Sequence, residues 1–182
     1  MTLDEWASLQ EDDSRELVDG VLEEDEMPSF VHETVVRWLL VLLDAYFRPR
    51  GGLVAGSGVK LAIHPQRGRM ADVVCYAAGR RPEARGLVRL PPDIVVEVVS
   101  PSAADARRDR VTKPEEYAAF GVQHYWLVDP ELRSLEIWER GGDGRYVRAA
   151  AAVNGKVEPV PGCAGLAVDL DALWAEVDRL LE

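Results

Sequence analysis

The feature that most constrains the fold is a run of β-branched residues with one carboxylate inside it. Residues 92–101 read PDIVVEVVSP, so five β-branched side chains flank Glu97 between two prolines. Such a run is typical of a strand in the middle of a sheet that is covered on both faces. Removing an ionised carboxylate from water costs several kcal/mol unless a cation or strong hydrogen-bond donors compensate it. The sequence therefore predicts a central strand that contains a compensated acid.

Helix and strand patterns alternate along the rest of the chain. Ser29 is a candidate N-cap for a long helix that ends near Arg48, and a later helix is predicted to end at Gly121. The first of these helices is apolar nearly all round, which indicates a buried helix or one at a dimer contact. The pattern indicates an α/β or α+β fold with a mixed central β-sheet flanked by helices. The predicted strands of this sheet and its neighbours lie within 53–56, 59–64, 70–78, 93–99, 122–130, 134–140 and 141–153, the last after a Gly-rich turn.

The length of 182 residues indicates a single domain that spans residues 1–182. Near its start, RELVDGVLEED predicts a β-hairpin with a turn at Asp19–Gly20, so residues 1–28 are interpreted as an N-terminal β-hairpin extension. Residues 170–182 predict a closing amphipathic helix, with apolar side chains at 170, 173, 174, 177, 180 and 181.

Composition excludes several classes of protein. No run approaches the roughly 18 apolar residues of a transmembrane helix. The first residues are acidic and contain no apolar segment of a signal peptide, so a cytoplasmic protein is expected. Cys75 and Cys163 are too few and too far apart for a disulfide framework or a zinc site.

Charge is distributed unevenly along the chain. The net charge is -11, yet residues 48–113 contain 13 basic and 6 acidic side chains. A positive middle between negative ends is what local phosphate binding requires, because a partner responds to the local field more than to the total charge. The alternative is that these arginines cover an ordinary solvated surface.

A second carboxylate, Asp72, opens another apolar strand in the sequence ADVV. If the two strands are neighbours, a suitable register brings Asp72 and Glu97 within a few ångströms of each other. Two anions at that distance repel unless a divalent cation lies between them, and Mg²⁺ accepts one or two carboxylates together with waters and a substrate phosphate. In the alternative interpretation, Asp72 caps a turn and Glu97 pairs with an arginine.

The segment after the Glu97 strand, ADARRDRVTKPEE, is basic. Arg107, Arg110 and Lys113 recur at intervals of three and would share one face of a helix. The segment starts at the C-terminal end of the Glu97 strand, so its cations can return over the two carboxylates. Pro114 favours a position for Lys113 at the start of a helix rather than inside it. A solvated basic turn is the alternative for the arginines.

The combination of ADVV with PPDIVVEVVSPSAADARRDRVTKPEEYAAFGVQHYWLVDP resembles the "putative restriction endonuclease" family of the PD-(D/E)XK nuclease superfamily, a former domain of unknown function. RELVDGVLEE, VHE and GLAVDLDALW are similar to other segments of that family, so the resemblance covers most of the chain. Two positions depart from the superfamily motif. Ala71 replaces its proline, and Val99 replaces its lysine. A β-branched apolar residue cannot activate water as a lysine can.

The resemblance implies a restriction-endonuclease-like core, with Asp72 and Glu97 as metal-binding acids and Lys113 as the lysine supplied by the following helix. Glu16 matches a further acidic position of the family. The resulting hypothesis is a DNA endonuclease in which Mg²⁺ or Mn²⁺ is held by the two acids and the backbone carbonyl of Val98.

In this hypothesis, Arg107, Arg108 and Arg110 would bind flanking phosphates of the DNA. The nearly all-apolar first helix and the strand edges predict a homodimer, which an enzyme that cuts both strands of a duplex would also favour because two strands require two sites.

Two other classes of function stay open at this point. One is a catalytically inactive protein that uses the same fold to bind DNA or a protein partner, and the other is a metal-dependent hydrolase of a small phosphoester. The glycine-containing segment GGLVAGSGVK lacks the Gly-Lys-Ser/Thr ending of a phosphate-binding loop, and no Gly-x-Ser-x-Gly elbow occurs. The three histidines lack metal-ligand spacing, and His32 is the best candidate among them for a role at the site.

Overall fold

A six-stranded sheet and a four-stranded sheet organise the chain in this computed structural model, which describes residues 1–10, 13–24, 27–102 and 107–182. The strands are β1 (Glu16–Val18), β2 (Val21–Glu23), β3 (Leu53–Gly56), β4 (Lys60–His64), β5 (Arg67–Met70), β6 (Val73–Tyr76), β7 (Ile94–Val98), β8 (His124–Asp129), β9 (Ser134–Arg140), β10 (Tyr146–Ala152), β11 (Lys156–Val157) and β12 (Val168–Asp169). The described helices are α1 (Leu3–Ala7), α2 (Phe30–Phe47), α3 (Lys113–Phe120) and α4 (Leu170–Asp178). A 3₁₀ turn, Arg48–Arg50, follows α2, and a wide π-helical turn, Arg108–Thr112, leads into α3.

The six-stranded sheet is mixed and has the order β10-β9-β8-β7-β6-β3. Its strands β7 and β8 are parallel, whereas the other neighbouring pairs are antiparallel. On one face, Val96 packs in a core with side chains of α2 and α4, such as Leu39 and Leu173. On the other face, Val95 packs with Tyr117 of α3 and Leu61 of β4. The predicted mixed sheet flanked by helices is confirmed.

Helix α2 begins where the sequence predicts. The Ser29 side chain accepts a hydrogen bond from the backbone N–H of His32 at 3.1 Å and caps the first turn. Leu39 and Leu43, four residues apart, are fully buried, whereas Val41 between them is 60% exposed. The helix is therefore buried along one face against the sheet, and the predicted dimer contact on its outer face stays a prediction.

The N-terminal hairpin forms part of the second sheet, whose order is β2-β1-β5-β4. Its turn lies at Asp19–Gly20 as predicted, with φ values of 49° and 80° that suit a tight hairpin turn. Strand β5 was not predicted, because its four residues RGRM lack an apolar run. A Cβ atom at Gly68 would lie 2.2 Å from the Trp6 ring, so the glycine lets α1 pack directly on this sheet.

The closing helix α4 is shorter than the predicted 170–182, because it ends at Asp178. The apolar side chains predicted at 170, 173, 174 and 177 are buried as expected. Leu180 and Leu181 were expected to continue that buried stripe, but they are 38% and 71% exposed beyond the end of the helix. Among the described residues, no helix combines the length and apolar character that crossing a bilayer requires.

Candidate active site

The two predicted carboxylates meet at the edge where β6 begins and β7 ends. Val73 pairs with Val96 in the antiparallel ladder, so Asp72 lies opposite Glu97. The backbone N–H of Val98 donates a hydrogen bond to Asp72 Oδ2 at 2.7 Å, which fixes the aspartate against the neighbouring strand. The predicted juxtaposition of the two acids is therefore present in the fold.

Lys113 is the cation that accompanies the buried Glu97. Its Nζ donates to Glu97 Oε2 at 3.0 Å, and the Tyr117 hydroxyl donates to Glu97 Oε1 at 2.7 Å. Burial raises the pKa of Glu97 above its ordinary value; Lys113 opposes the rise, whereas the negative charges of Asp72 and Asp109 add to it. Burial is therefore the main reason that the charged form of Glu97 is disfavoured, and the charge of Lys113 offsets only part of that effect.

Lys113 reaches this position because it is the first residue of α3, as the following proline suggested. Pro114 is tolerated in a first helical turn, where a backbone N–H would have no intrahelical acceptor. Lys113 Nζ also lies 3.1 Å from Asp109 Oδ1, one turn earlier in the chain. Burial is the largest cause of the raised pKa of Asp109, which the charge of Lys113 opposes.

Sequence reasoning did not single out Asp109 or Tyr117. The four-residue spacing between Asp109 and Lys113 was the available local signal for the first. The hydroxyl of Tyr117 gave no signal, since an aromatic residue in a helix is more simply interpreted as part of the core.

The predicted basic face is not formed as expected. Arg110 points away from Lys113 and pairs with Asp129 at 2.5 Å and with Glu136 at 3.2 Å. The reason is the wide turn at Arg108–Thr112, whose geometry does not superpose residues three apart as an α-helix does.

The other two arginines of this segment have different surroundings. Arg108 lines the pocket described below and lies 3.9 Å from Glu23 Oε2. Arg107 is exposed, directly after residues 103–106, which lie outside the described parts of the chain. Phosphate binding by the three arginines stays a prediction.

Glu16 lies in a buried ionic network on the second sheet. Arg69 Nη1 donates to Glu16 Oε2 at 2.6 Å, and the Met70 N–H donates to Oε1 at 2.8 Å. Arg69 also binds Glu116 of α3 through Nε at 2.7 Å. Burial acts to raise the pKa of Glu16, but the positive charges of Lys113 and Arg69 outweigh it and lower that pKa.

This network connects Glu16 with the helix that carries Lys113. Both oxygens of Glu16 are held by protein donors, and its role in binding a metal stays a prediction. Sequence reasoning missed Arg69 and Glu116, since Arg69 stands in an unpredicted strand and Glu116 looks like an ordinary charge of an N-terminal helical turn.

His32, near the start of α2, adjoins the same acids. Its Nε2 lies 3.4 Å from Asp72 Oδ2, and its Nδ1 lies 3.4 Å from Glu33 Oε1. Burial opposes protonation, but the interactions with Asp72 and Glu33 outweigh it and raise the pKa of His32 to about 9. The best histidine candidate from the sequence therefore does reach the site.

A pocket of about 460 Å³ exposes these groups to solvent, a volume within the usual range for small-ligand sites. Its walls include the functional candidates Asp72, Glu97, Val98, Lys113, Asp109 and His32.

The donor set of the pocket suits a hard divalent cation. Two carboxylates and the Val98 carbonyl are oxygen ligands of the kind that Mg²⁺ prefers, and Mg²⁺ needs no complete protein cage. Within the described residues, no group of three or more His, Cys, Asp or Glu side chains is arranged to hold a metal ion by itself. The carboxylates of Asp72 and Glu97 lie on facing strands and line one pocket, and this pair of oxygen donors fits the ion.

A mixed sheet that carries two acids at one edge, with a lysine from the following helix beside them, is the arrangement expected of a nuclease-like protein. The chain belongs to the family described as "Uma2: Putative restriction endonuclease", which matches residues 2–172.

A solved structure with the same fold is the crystal structure of a "putative nuclease belonging to DUF820" from Anabaena variabilis ATCC 29413. The two chains are 19% identical, the match covers 97% of this chain and 99% of that chain, and the TM-score is 0.77. A search of curated proteins found no match.

Proposed function

We propose that this protein is a Mg²⁺- or Mn²⁺-dependent endonuclease that hydrolyses phosphodiester bonds of DNA. The observation that carries the proposal is the convergence of Asp72, Glu97 and Lys113 in one pocket of a nuclease-like fold. Asp72, Glu97 and the Val98 carbonyl would hold the ion. A bound Mg²⁺ would supply a Lewis acid for the phosphate and a lower pKa for a coordinated water.

The protein's own groups have separate parts in the reaction. Asp72 is held by the Val98 N–H, so its carboxylate is positioned before substrate arrives. Lys113 lines the pocket with its Nζ beside Glu97, so the ammonium would donate a hydrogen bond to an attacking water or to a phosphoryl oxygen. A fixed ammonium there stabilises the negative charge that builds on the phosphoryl group as the bond to the leaving oxygen breaks.

The arginines have unequal parts in substrate binding. Arg107 and Arg108 would contact flanking phosphates, which adds affinity without sequence preference. Arg110 is already held by two carboxylates, so it would contribute less to DNA binding than the sequence alone suggests. The proposed homodimer would supply a second site, and light scattering at micromolar concentration would test it.

The decisive experiment replaces Glu97 by Gln, which keeps the shape of the side chain and removes its charge. We expect Glu97→Gln to lose Mg²⁺ affinity in calorimetry and to lose cleavage of both circular single-stranded DNA and supercoiled plasmid. Glu115→Gln is the matched control, because Glu115 is exposed in the first turn of α3.

Full Mg²⁺-dependent cleavage by the Glu97→Gln variant would refute the assignment of the site. A wild-type protein that binds no divalent ion and cuts no DNA would instead support the inactive DNA- or partner-binding alternative. Cleavage of small phosphoesters without cleavage of DNA would support the third class.

A further inference from the structure

The acids and the lysine of the site lie below the surface. Glu97 is 3% exposed and Lys113 is 4% exposed, so a phosphodiester must enter the pocket to approach them. A duplex presents its phosphates on a stiff outer ridge, whereas an unpaired strand can bend a single nucleotide into a recess.

The charges near the pocket also favour a small phosphate contact. Duplex binding draws much of its affinity from lysines and arginines arrayed along the backbone. Here Arg108 lies near Glu23, and Arg110 pairs with two other carboxylates. Glu33, with 57% of its side chain exposed, adds a negative charge to the pocket wall. These acids would oppose a second row of phosphates close to the entrance.

An aromatic side chain lies beside this entrance. Phe30, the first residue of α2, is 77% exposed. Of the large apolar side chains that are exposed in the described part of the chain, it is the one aromatic ring. It lines a surface groove that shares Glu33 with the pocket, and Pro28 and His32 on either side of it line the pocket itself.

A benzyl side chain that keeps most of its apolar area in contact with solvent contributes little to the stability of the monomer. Exposed aromatic rings next to a phosphate-binding recess are the platforms on which proteins stack the bases of single strands, whatever their sequence. The groove also contains Arg37, which can contact the backbone of a strand that leaves the pocket, whereas Arg179 of the same groove is paired with Glu176 at 3.1 Å.

We infer that the substrate is an unpaired DNA strand, with one phosphodiester in the pocket and a neighbouring base stacked on Phe30. The inference rests on the proposed nuclease function and specifies its substrate class. Helix α2 would then bind substrate through its first residue, Phe30, and this role would be separate from the ion site.

The test compares three substrates in Mg²⁺: a single-stranded oligonucleotide, the same strand annealed to its complement, and bis(p-nitrophenyl) phosphate. We expect kcat/KM for the single strand to exceed that for the duplex at least about tenfold. Phe30→Ala should raise KM for the single strand about fivefold or more, the factor that corresponds to about 1 kcal/mol of base stacking.

Three comparisons separate stacking from a general defect. Phe30→Ala should leave hydrolysis of the small diester unchanged, because that substrate occupies the pocket alone. Phe30→Trp should restore the KM for the single strand. Val41→Ala, which shortens another exposed side chain of the same helix, should behave as the wild type.

Equal cleavage of duplex and single strand would overturn this inference and leave the nuclease assignment in place. An equal loss of activity on the single strand and on the small diester in Phe30→Ala would have the same consequence. Absence of metal-dependent cleavage of any of the three substrates would overturn both.

Discussion

Tyr117 offers the sharpest test of how the site holds its acid. Its hydroxyl donates to Glu97 Oε1 at 2.7 Å, while its ring packs in the core beside Tyr125. Tyr117→Phe removes the hydroxyl and keeps the ring, so the change acts on the carboxylate rather than on packing. A hydrogen bond to a charged group contributes about 1.5–3 kcal/mol. Loss of a partner that orients a metal ligand lowers metal affinity or activity about 10- to 100-fold, which is consistent with that energy.

We therefore expect Mg²⁺ to bind Tyr117→Phe about 10- to 100-fold more weakly in calorimetry, with a parallel loss of kcat/KM on DNA. Tyr146→Phe is the matched control, because the Tyr146 hydroxyl donates to the Val122 carbonyl at 2.9 Å, outside the pocket lining. The control should lose about 1 kcal/mol of stability at most and no Mg²⁺ affinity. Unchanged Mg²⁺ affinity in a folded Tyr117→Phe variant would refute the argument that this hydroxyl positions Glu97.

Three further changes test other parts of the site. Lys113→Met should reduce cleavage by roughly 10²- to 10³-fold, yet retain Mg²⁺ binding in calorimetry, because the ammonium stabilises developing charge and repels the cation. Arg69→Met should lower the free energy of unfolding in urea by about 3–5 kcal/mol, since it leaves the buried Glu16 without its ion-pair partner, whereas Glu116 keeps Arg67. In EDTA, His32 should stabilise the protein fully below pH of about 6.5 and lose this effect as pH rises through about 9, because its pKa is raised in the folded state. The fall in Tm over this range should therefore be smaller in His32→Gln than in the wild type.

Each of these expectations has an outcome that contradicts it. Full cleavage by Lys113→Met would remove that lysine from the mechanism. A loss of stability in Arg69→Met no larger than that of Arg179→Met, whose side chain is 71% exposed in the wild type, would mean that the buried network contributes little. Identical pH dependence of Tm in the wild type and His32→Gln would show that this histidine does not bind its proton more tightly in the folded state.

Much of the site could be predicted because local patterns carried it. The alternation of residues in two strands put Asp72 and Glu97 on facing positions, and the register of β6 and β7 agrees with that prediction. The proline after Lys113 indicated a helix start, which is where that lysine lies. The shared face expected for the arginines failed, since the wide turn before α3 changes the angle between successive side chains.

The sequence by itself determined the central strand, the long capped helix, the hairpin turn and the presence of an acid that needs compensation. These features depend on periodicity, capping and turn chemistry, which act over a few residues. The tertiary structure decided which groups compensate that acid and how the helix of Lys113 is anchored. The contact between Glu16 and Arg69 joins residues 53 positions apart, and that between Tyr117 and Glu97 joins residues 20 positions apart. No local pattern specifies such pairs, because a charged or hydroxyl side chain takes its partner from whatever the folded chain places beside it.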